Sequence, residues 1–489
     1  MFEEERGGEL PITVDIREAE KAKEYVIRYL SSAYGDRFRG YLEVEEGGRP
    51  GLVAYVDSEK GPLLEFHVLF LSKTTRYLVR VLDPAAPEGV IHRALRVIER
   101  CLLSYWETGG KSSIYFVYVP GRRVVPPRME RGIRSALQKL FLGNMVFLFA
   151  ISIAISYAVY LLVGPYMTPI VLLLSQIPLI LASHKVVALM MGDWNIDPAH
   201  RKVYLVGLEL PQERFDEIMR KVIYPLRYEI KKKIYRETIE RTGEVDEGSV
   251  RRVLASYGLE VDSFKVNIRE IDIYGLVTGI VKEFGIKEPK IYISNTIIPN
   301  AAASGVTSRL STMIITTGLL TRLHDDEIKA VIGHELSHIR RHDVLTFFLL
   351  SSIEYVSRVS ISLALWPVVI SFVDLLILMF YMYLSLTALF FIAKFVEARA
   401  DLESVKKLNT AHDLASALRK IAMRRLLVEQ SRRSRLPFWL SWNPHPPVSF
   451  RIEILERIHE GKVSIGNEWI AAMRSCISDF IESLKESLI

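Results

Sequence analysis

Cysteine is almost absent from this chain: Cys101 and Cys476 are the only two in 489 residues. They lie far apart in sequence, which excludes a disulfide framework and fits a reducing compartment. An apolar h-region is also missing behind Met1, where "MFEEERGGEL" is acidic and polar, so no cleaved signal peptide is expected. No repeat of fixed period and no low-complexity tract occurs, which sets aside solenoids and solvated tails. Strong charge of one sign is lacking too. The formal net charge is +6, so no nucleic-acid interface is expected, and the excess reads as basic residues beside anionic lipid.

Apolar residues, in contrast, make up 49% of the chain and are concentrated in blocks. Residues 141 to 163 carry no charge for long enough to cross a hydrocarbon core of roughly 30 Å, which takes about 20 helical residues. A second run, about 168 to 183, follows "GPYMTP". The third and fourth, 344 to 366 and 368 to 393, meet at Trp366 and Pro367. The expectation is an α-helical multi-pass membrane protein with four transmembrane helices in two hairpins, 141–191 and 344–393. Arg122, Arg123, Arg128, Arg131, Arg134 and Lys139 precede the first span, which places that end in the cytoplasm. Each hairpin returns the chain, so the N-terminus, the middle region and the C-terminus all share the cytoplasmic face of the cell membrane.

Outside those runs the pattern changes. An amphipathic helix over 14–31, the alternating segments "YLEVEE", "GLVAYVD", "EFHVLFL" and "RYLVRVLD", a helix near 88–107 and the strand "SIYFVYV" predict an N-terminal α+β cytoplasmic domain, 1–120. A basic linker, 121–140, leads into the membrane. Residues 192–270 read as a charged helical segment in which Lys231, Lys232 and Lys233 form a solvated face. From Ile271 there follow a helix, the strand "KIYIS", the loop "NTIIPNAAASG" and the strand "TMIITTG"; that last strand offers an edge for an extended substrate. An amphipathic helix, 466–489, ends the chain.

The chemistry is carried by "GHELSHIRRHD", 333–343. On a helix, His334 and His338 share a face and can aim both rings at one point. Glu335 falls within the apolar stripe of Ile328, Val331, Ile332 and Ile339, where a carboxylate is costly unless a cation offsets it. Asp325 or Asp326 can cap the helix. A catalytic zinc needs three protein ligands and an open position. The candidate third ligand is Glu397 in "FVEARADLE", which the membrane hairpin returns to the face that carries the histidines; a helix-start carboxylate or an ion pair with Arg399 is the alternative. Asp401, one turn further on, can accept the free ring N–H of a ligating histidine. His342 could make a three-histidine site, Asp343 reads as a helix-end contact, and Glu354 with Arg358 reads as an intramembrane ion pair.

Taken together, "GHELSHIRRHDV", "EARAD", "IPNAAASG" and "HPPVSFR" resemble the HtpX-type membrane metalloproteases, relatives of the zinc-dependent CAAX prenyl proteases, over about residues 271 to 460. The resemblance implies a gluzincin-type α+β metallopeptidase domain, 271–343 and 394–465, with one Zn2+ per chain held by His334, His338 and Glu397. It implies Glu335 as general base, His445 and Arg451 at the oxyanion, and Asn300 beside the substrate cleft. The implied reaction is hydrolysis of peptide bonds in protein substrates, chiefly misfolded or damaged membrane proteins in quality control. Two other readings stand beside it: a CAAX prenyl protease-like enzyme, against which four apolar runs argue, and a non-catalytic membrane adaptor with a structural zinc site. A channel or transporter would need a polar stripe repeated through several spans, and only Glu354, Arg358 and Asp374 supply one.

Overall fold

The computed structural model describes residues 4–10, 14, 19–58, 61–71, 74–82, 89–108, 112–125, 145–210, 215–260, 264–365, 371–430 and 434–488. The chain divides into two compact units. Most of the basic linker, the start of the first apolar run and the Trp366–Pro367 turn lie outside the described residues.

The first unit holds a five-stranded antiparallel sheet in the order β1-β5-β4-β3-β2. Its strands are β1 (Glu4–Leu10), β2 (Phe38–Glu46), β3 (Arg49–Ser58), β4 (Gly61–Phe70) and β5 (Thr75–Val81). Alternation dictates the buried face: Thr75, Tyr77, Val79 and Val81 of β5 point inward while Arg76 is exposed. Helices α1 (Ala19–Tyr34) and α2 (Gly89–Thr108) cover that face, with Val26, Leu30, Ile98 and Leu102 buried among Leu52, Phe66 and Val79. Strand β1 was not expected from the sequence. It pairs with β5 from Glu4↔Val81 to Leu10↔Thr75 and forms the sheet edge.

The second unit carries long apolar helices and two further sheets. Strands β6 (Ser112–Tyr118), β8 (Lys202–Leu210) and β9 (Lys265–Asp272) form one, the greater part of which belongs to this unit. The other has the order β11-β12-β10-β7, from β7 (Trp194–Ile196), β10 (Lys290–Ser294), β11 (Ala301–Thr307) and β12 (Leu310–Thr316). Two expectations fail here. "AAASGVT" is a strand rather than part of a loop, and "TMIITT" is paired on both sides, parallel to β10 and antiparallel to β11. A strand with both edges used cannot add a third, so the available edge is β11.

Among the described residues, three helices are long and apolar enough to cross a membrane: Tyr157–Met191, Asp343–Ile361 and Phe372–Leu408. The first is the end of α3 (Met145–Met191), which is interrupted at Gly164 (φ 75°, ψ 174°), between the two runs expected as hairpin one. Helix α4 (Tyr224–Glu237) corrects another reading. Lys231 is buried, its Nζ 3.3 Å from the Val125 carbonyl and stacked over the rings of Trp194 and Tyr118. Burial lowers its pKa to about 8; it is no solvated face.

Asp272 caps α5 (Ile273–Phe284) through the Gly275 N–H. The segment with both histidines is α6 (Asp325–Arg341). Neither aspartate is its cap. The N-cap is His324, whose backbone N–H donates to Glu327 at 2.9 Å. His342 ends the helix in the left-handed region, φ 55°, and the next residue opens α7 (Asp343–Leu365). After the turn, α8 (Phe372–Leu408) runs unbroken from the apolar segment through "EARADLE". Helices α9 (Ala411–Ile421), α10 (Met423–Gln430), α11 (Val448–His459) and α12 (Glu468–Leu488) follow.

Candidate active site

Two helices bring the candidate ligands together, and a glycine sets how closely they approach. A Cβ on Gly333 would lie 2.4 Å from Leu408 and 2.6 Å from Ser404, both on α8. The missing side chain thus lets α6 and α8 pack tightly, one residue before His334. The Nε2 atoms of His334 and His338 are 3.2 Å apart. Glu397 reaches both, with Oε2 3.6 Å from His334 Nε2 and Oε1 3.6 Å from His338 Nε2. Tetrahedral zinc with bonds near 2.0–2.1 Å holds its ligand atoms about 3.3–3.4 Å apart. Two imidazoles and one carboxylate at 3.2–3.6 Å therefore fit the ion, and they leave its fourth position open. Helix α8 does not start at Glu397, and Arg399 pairs elsewhere, so neither alternative reading of that glutamate describes its place.

Each histidine is backed by an acid. His334 Nδ1 lies 2.8 Å from Asp401 Oδ1, within ion-pair reach although poorly aligned for a hydrogen bond. Burial disfavours a charged ring there, but the Asp401 carboxylate outweighs it and raises the His334 pKa to about 10. Asp401 is itself gripped from behind, accepting from Arg451 Nε and Nη2 at 2.7 Å each. His338 Nδ1 donates to Asp343 Oδ2 at 2.7 Å. Asp343, read from the sequence as a helix-end contact, also accepts from the fully buried Arg399. Arg399 continues to Ser337 (2.7 Å) and Glu403 (2.6 Å), and Arg341 meets Glu403 at 3.0 Å. Sequence reasoning gave Asp343 only a helix-end contact and Arg399 only an alternative ion pair with Glu397, and it passed over Glu403, although all lie within the two motifs.

One cavity of about 800 Å³ is lined by Asn300, Glu335, His338, Glu397, His445 and Arg451, with His334 beside them. Glu335 Oε2 accepts the backbone N–H of Ala303 at 2.8 Å, which ties the glutamate to edge strand β11. The backbone of Asn300 is fixed by Thr316, while the residue itself is exposed. His445 Nδ1 donates to Glu397 Oε2 at 2.7 Å. Arg451 is buried with its fork on Asp401 rather than extended into the open cleft. His342 is exposed at the helix end and takes no place among the three converging side chains.

The turn that carries His445 has two unforeseen holders. Arg425 Nη2 donates to the carbonyls of His445 (3.0 Å) and Pro446 (3.1 Å). Glu429, buried, accepts the N–H groups of Val448 and Ser449 at 2.9 and 2.8 Å. Those are the first donors of α11, which the N-cap Pro447 cannot satisfy, so a carboxylate does so at the favourable end of the helix dipole. No local sequence signal links Arg425 and Glu429 to a turn some twenty positions on.

Residues 268–459 match the family model described as Peptidase family M48. Among curated relatives, a "Protease HtpX homolog" of Methanothermobacter thermautotrophicus is 32% identical over 166 residues, 33% of this chain and 62% of that protein. One of Thermococcus sibiricus is 46% identical over 74 residues, 15% of this chain and 25% of the relative. One of Listeria monocytogenes is 25% identical over 222 residues, 38% and 73% respectively. The chain spans less than two thirds of the first two relatives. Converging histidines and glutamate on the helices expected to carry them thus lie in a stretch, residues 268–459, that is similar to peptidase family M48 and overlaps the likeness to the HtpX homologues.

Proposed function

We propose that this protein is a membrane-embedded zinc metalloendopeptidase whose metal is held by His334, His338 and Glu397. The observation that carries the reading is the convergence of both Nε2 atoms, 3.2 Å apart, on the Glu397 carboxylate, each 3.6 Å from one of its oxygens, beside Glu335 in one cavity. A zinc ion bound there would make water nucleophilic near neutral pH and polarise the scissile carbonyl. Everything else falls to the protein. Glu335 keeps Oε2 on the Ala303 N–H, so Oε1 is the atom that takes a proton from the attacking water and passes it to the leaving amine. Strand β11 lies along the cavity through Ala301–Ala303 and pairs with no further strand among the described residues, so beyond the Ala303 N–H that Glu335 holds, its outer edge suits an extended peptide laid beside it. Val344, Phe347, Phe348 and Phe390 line the same cavity and favour apolar substrate side chains.

His445, exposed at the mouth, is the group we assign to the oxyanion. Arg451 serves His334 through Asp401, a positioning task that differs from direct contact with the oxyanion. Asn300 borders the cleft and orients substrate. The four apolar runs are read as two membrane hairpins, with the metal site and both termini on the cytoplasmic face, between an N-terminal α+β domain (1–120) and a C-terminal helix. Substrates are membrane proteins that expose extended segments beside the bilayer, which makes quality control the fitting role. The names of the relatives support this over prenyl-protein processing.

Glu335→Gln tests the reading. We expect zinc retained at one ion per chain and cleavage of an unfolded substrate such as casein reduced about 10²–10⁴-fold, with the wild type silenced by a chelator. Undiminished cleavage by the variant would exclude Glu335 as the base, and retained zinc with an inactive wild type would favour a structural site.

A further inference from the structure

Helix α12 lies beyond the peptidase match, which ends at residue 459, and the proposed reaction makes no use of it. One side of it packs on the protein: Ala472 and Cys476 are buried among Ala398, Leu402, Trp439 and Phe450. Among the described residues, nothing covers the adjoining side. Ile470, Met473, Ile477, Ile481, Leu484 and Leu488 are each 39% exposed or more, and their spacing of three and four places them in one narrow stripe. Such a continuous apolar stripe on a helix is not needed for solubility and marks a contact surface.

What covers it follows from where the helix runs. Glu468, at its start, pairs with Lys406 near the end of α8, at 2.8 Å. Twelve positions later Phe480 meets Phe391 of α8, ring centroids 5.1 Å apart. Helix α12 therefore runs antiparallel to α8, back toward the uncharged stretch 375–393 of that span. At about 1.5 Å per residue, Leu484 and Leu488 stand roughly 6 and 12 Å further along, beside the half of that stretch nearer Lys394. A separate segment reaches the same depth. Trp442 donates its indole N–H to Thr387 at 3.1 Å, stacks near Tyr383, and is itself exposed. An exposed Trp at that level is the residue type that anchors a protein at a membrane interface.

We propose that α12 and the Trp442 turn form a lipid-facing collar, the C-terminal half of α12 lying in the headgroup zone beside α8 with its apolar stripe toward the acyl chains. The collar rests on α8 being a span. Its apolar surface is shared between two hosts: Ala472, Cys476 and Phe480 face protein, and the neighbouring stripe faces acyl chains. The polar side, with Glu482 and Glu486, faces water.

Proteoliposomes of the full chain test it, with an environment-sensitive thiol dye on Ile481→Cys or Leu484→Cys, on Glu482→Cys or Glu486→Cys, and on Ile377→Cys in α8. The parent chain, with Cys101 and Cys476 buried, is the blank. Labels at 481 and 484 should emit blue-shifted and lose intensity to nitroxide-bearing lipid but not to aqueous iodide; labels at 482 and 486 should behave oppositely. Lipid quenching at 377 establishes the span separately, so its absence would indict the membrane reading and not the collar alone. Iodide quenching at 481 and 484 beside lipid quenching at 377 overturns the proposal. So does protection that vanishes as protein is diluted in lipid, since a second copy would then cover the stripe. Independently, brominated lipid should quench the emission that Trp442→Phe removes; no loss there also counts against it.

Discussion

Replacing Asp401 by Asn separates two duties that the structure loads onto one side chain. Asp401 backs His334 on one oxygen and receives both Nε and Nη2 of the buried Arg451. Asparagine keeps a single acceptor and turns an N–H2 toward a guanidinium that has only donors. Loss of a carboxylate behind a ligating histidine costs about 10–100-fold in metal affinity, or roughly 1.4–2.8 kcal/mol. Stranding a buried charge by removing its partner costs about 3–5 kcal/mol of stability. These effects can be told apart. Adding Arg451→Met removes the stranded charge, so the double variant should regain much of the lost stability yet bind zinc no better than Asp401→Asn alone. Chelator competition on detergent-solubilised protein reads the affinity, and thermal unfolding of the metal-free form reads the stability. Unchanged zinc affinity in Asp401→Asn would refute the claim that Asp401 orients His334. Restoration of affinity by Arg451→Met would show that the loss was only a fold defect.

Asp343→Asn should also weaken zinc by about 10–100-fold through His338, with a smaller loss of stability, because Arg399 still holds Glu403; chelator competition and thermal unfolding report both. Arg425→Ala frees the carbonyls of His445 and Pro446. Zinc content should stay unchanged while kcat falls, up to about 10²-fold if the ring shifts by an ångström, as measured by peptide hydrolysis. Gly333→Ala gains about 1 kcal/mol of helix propensity but overpacks against Leu408 and Ser404, a cost of about 1–3 kcal/mol. The net effect should be a loss of stability together with weaker zinc binding, checked by melting with and without the metal.

The parts of this site legible in the sequence are those whose information is periodic. Positions i and i+4 decide that His334 and His338 face one way, and the length of the apolar runs leads to the expectation that the chain returns to the same membrane face. Those two readings are enough to bring Glu397 into consideration. Strand β1 was illegible for the opposite reason: "EERGGEL" has no apolar alternation, and its place is set by pairing with β5. The same holds for "AAASGVT", whose small residues read as a loop until β12 supplies a partner. Burial of Lys231 depends on Trp194 and Tyr118, distant in sequence. Arg399, Asp343 and Glu403 sit in plain view within the motifs, but charges on helices read as solvated until the facing helix is known.

That facing arrangement explains why so many charges occur where α6 meets α8. Arg399, Asp401 and Glu403 follow Glu397 within two turns of one helix, and each finds its partner outside that turn: Asp343, Arg451 and His334, and the arginines that end α6. Buried ion pairs of this kind add little net stability, since desolvation cancels much of their attraction. Their effect is on register. A slide of α8 by one turn, about 5.4 Å, would part Arg399 from Asp343 and Asp401 from Arg451 and His334, leaving Arg399 only its Glu403 neighbour on the same helix, and would carry Glu397 away from both histidines. An apolar interface between α6 and α8 would tolerate such a slide far better, because one aliphatic ridge fits the next groove almost as well. Helix α8 continues into the apolar stretch, where packing alone defines its depth only loosely. The charged cluster fixes its axial position, and the placing of the Glu397 carboxylate against His334 and His338 follows from that.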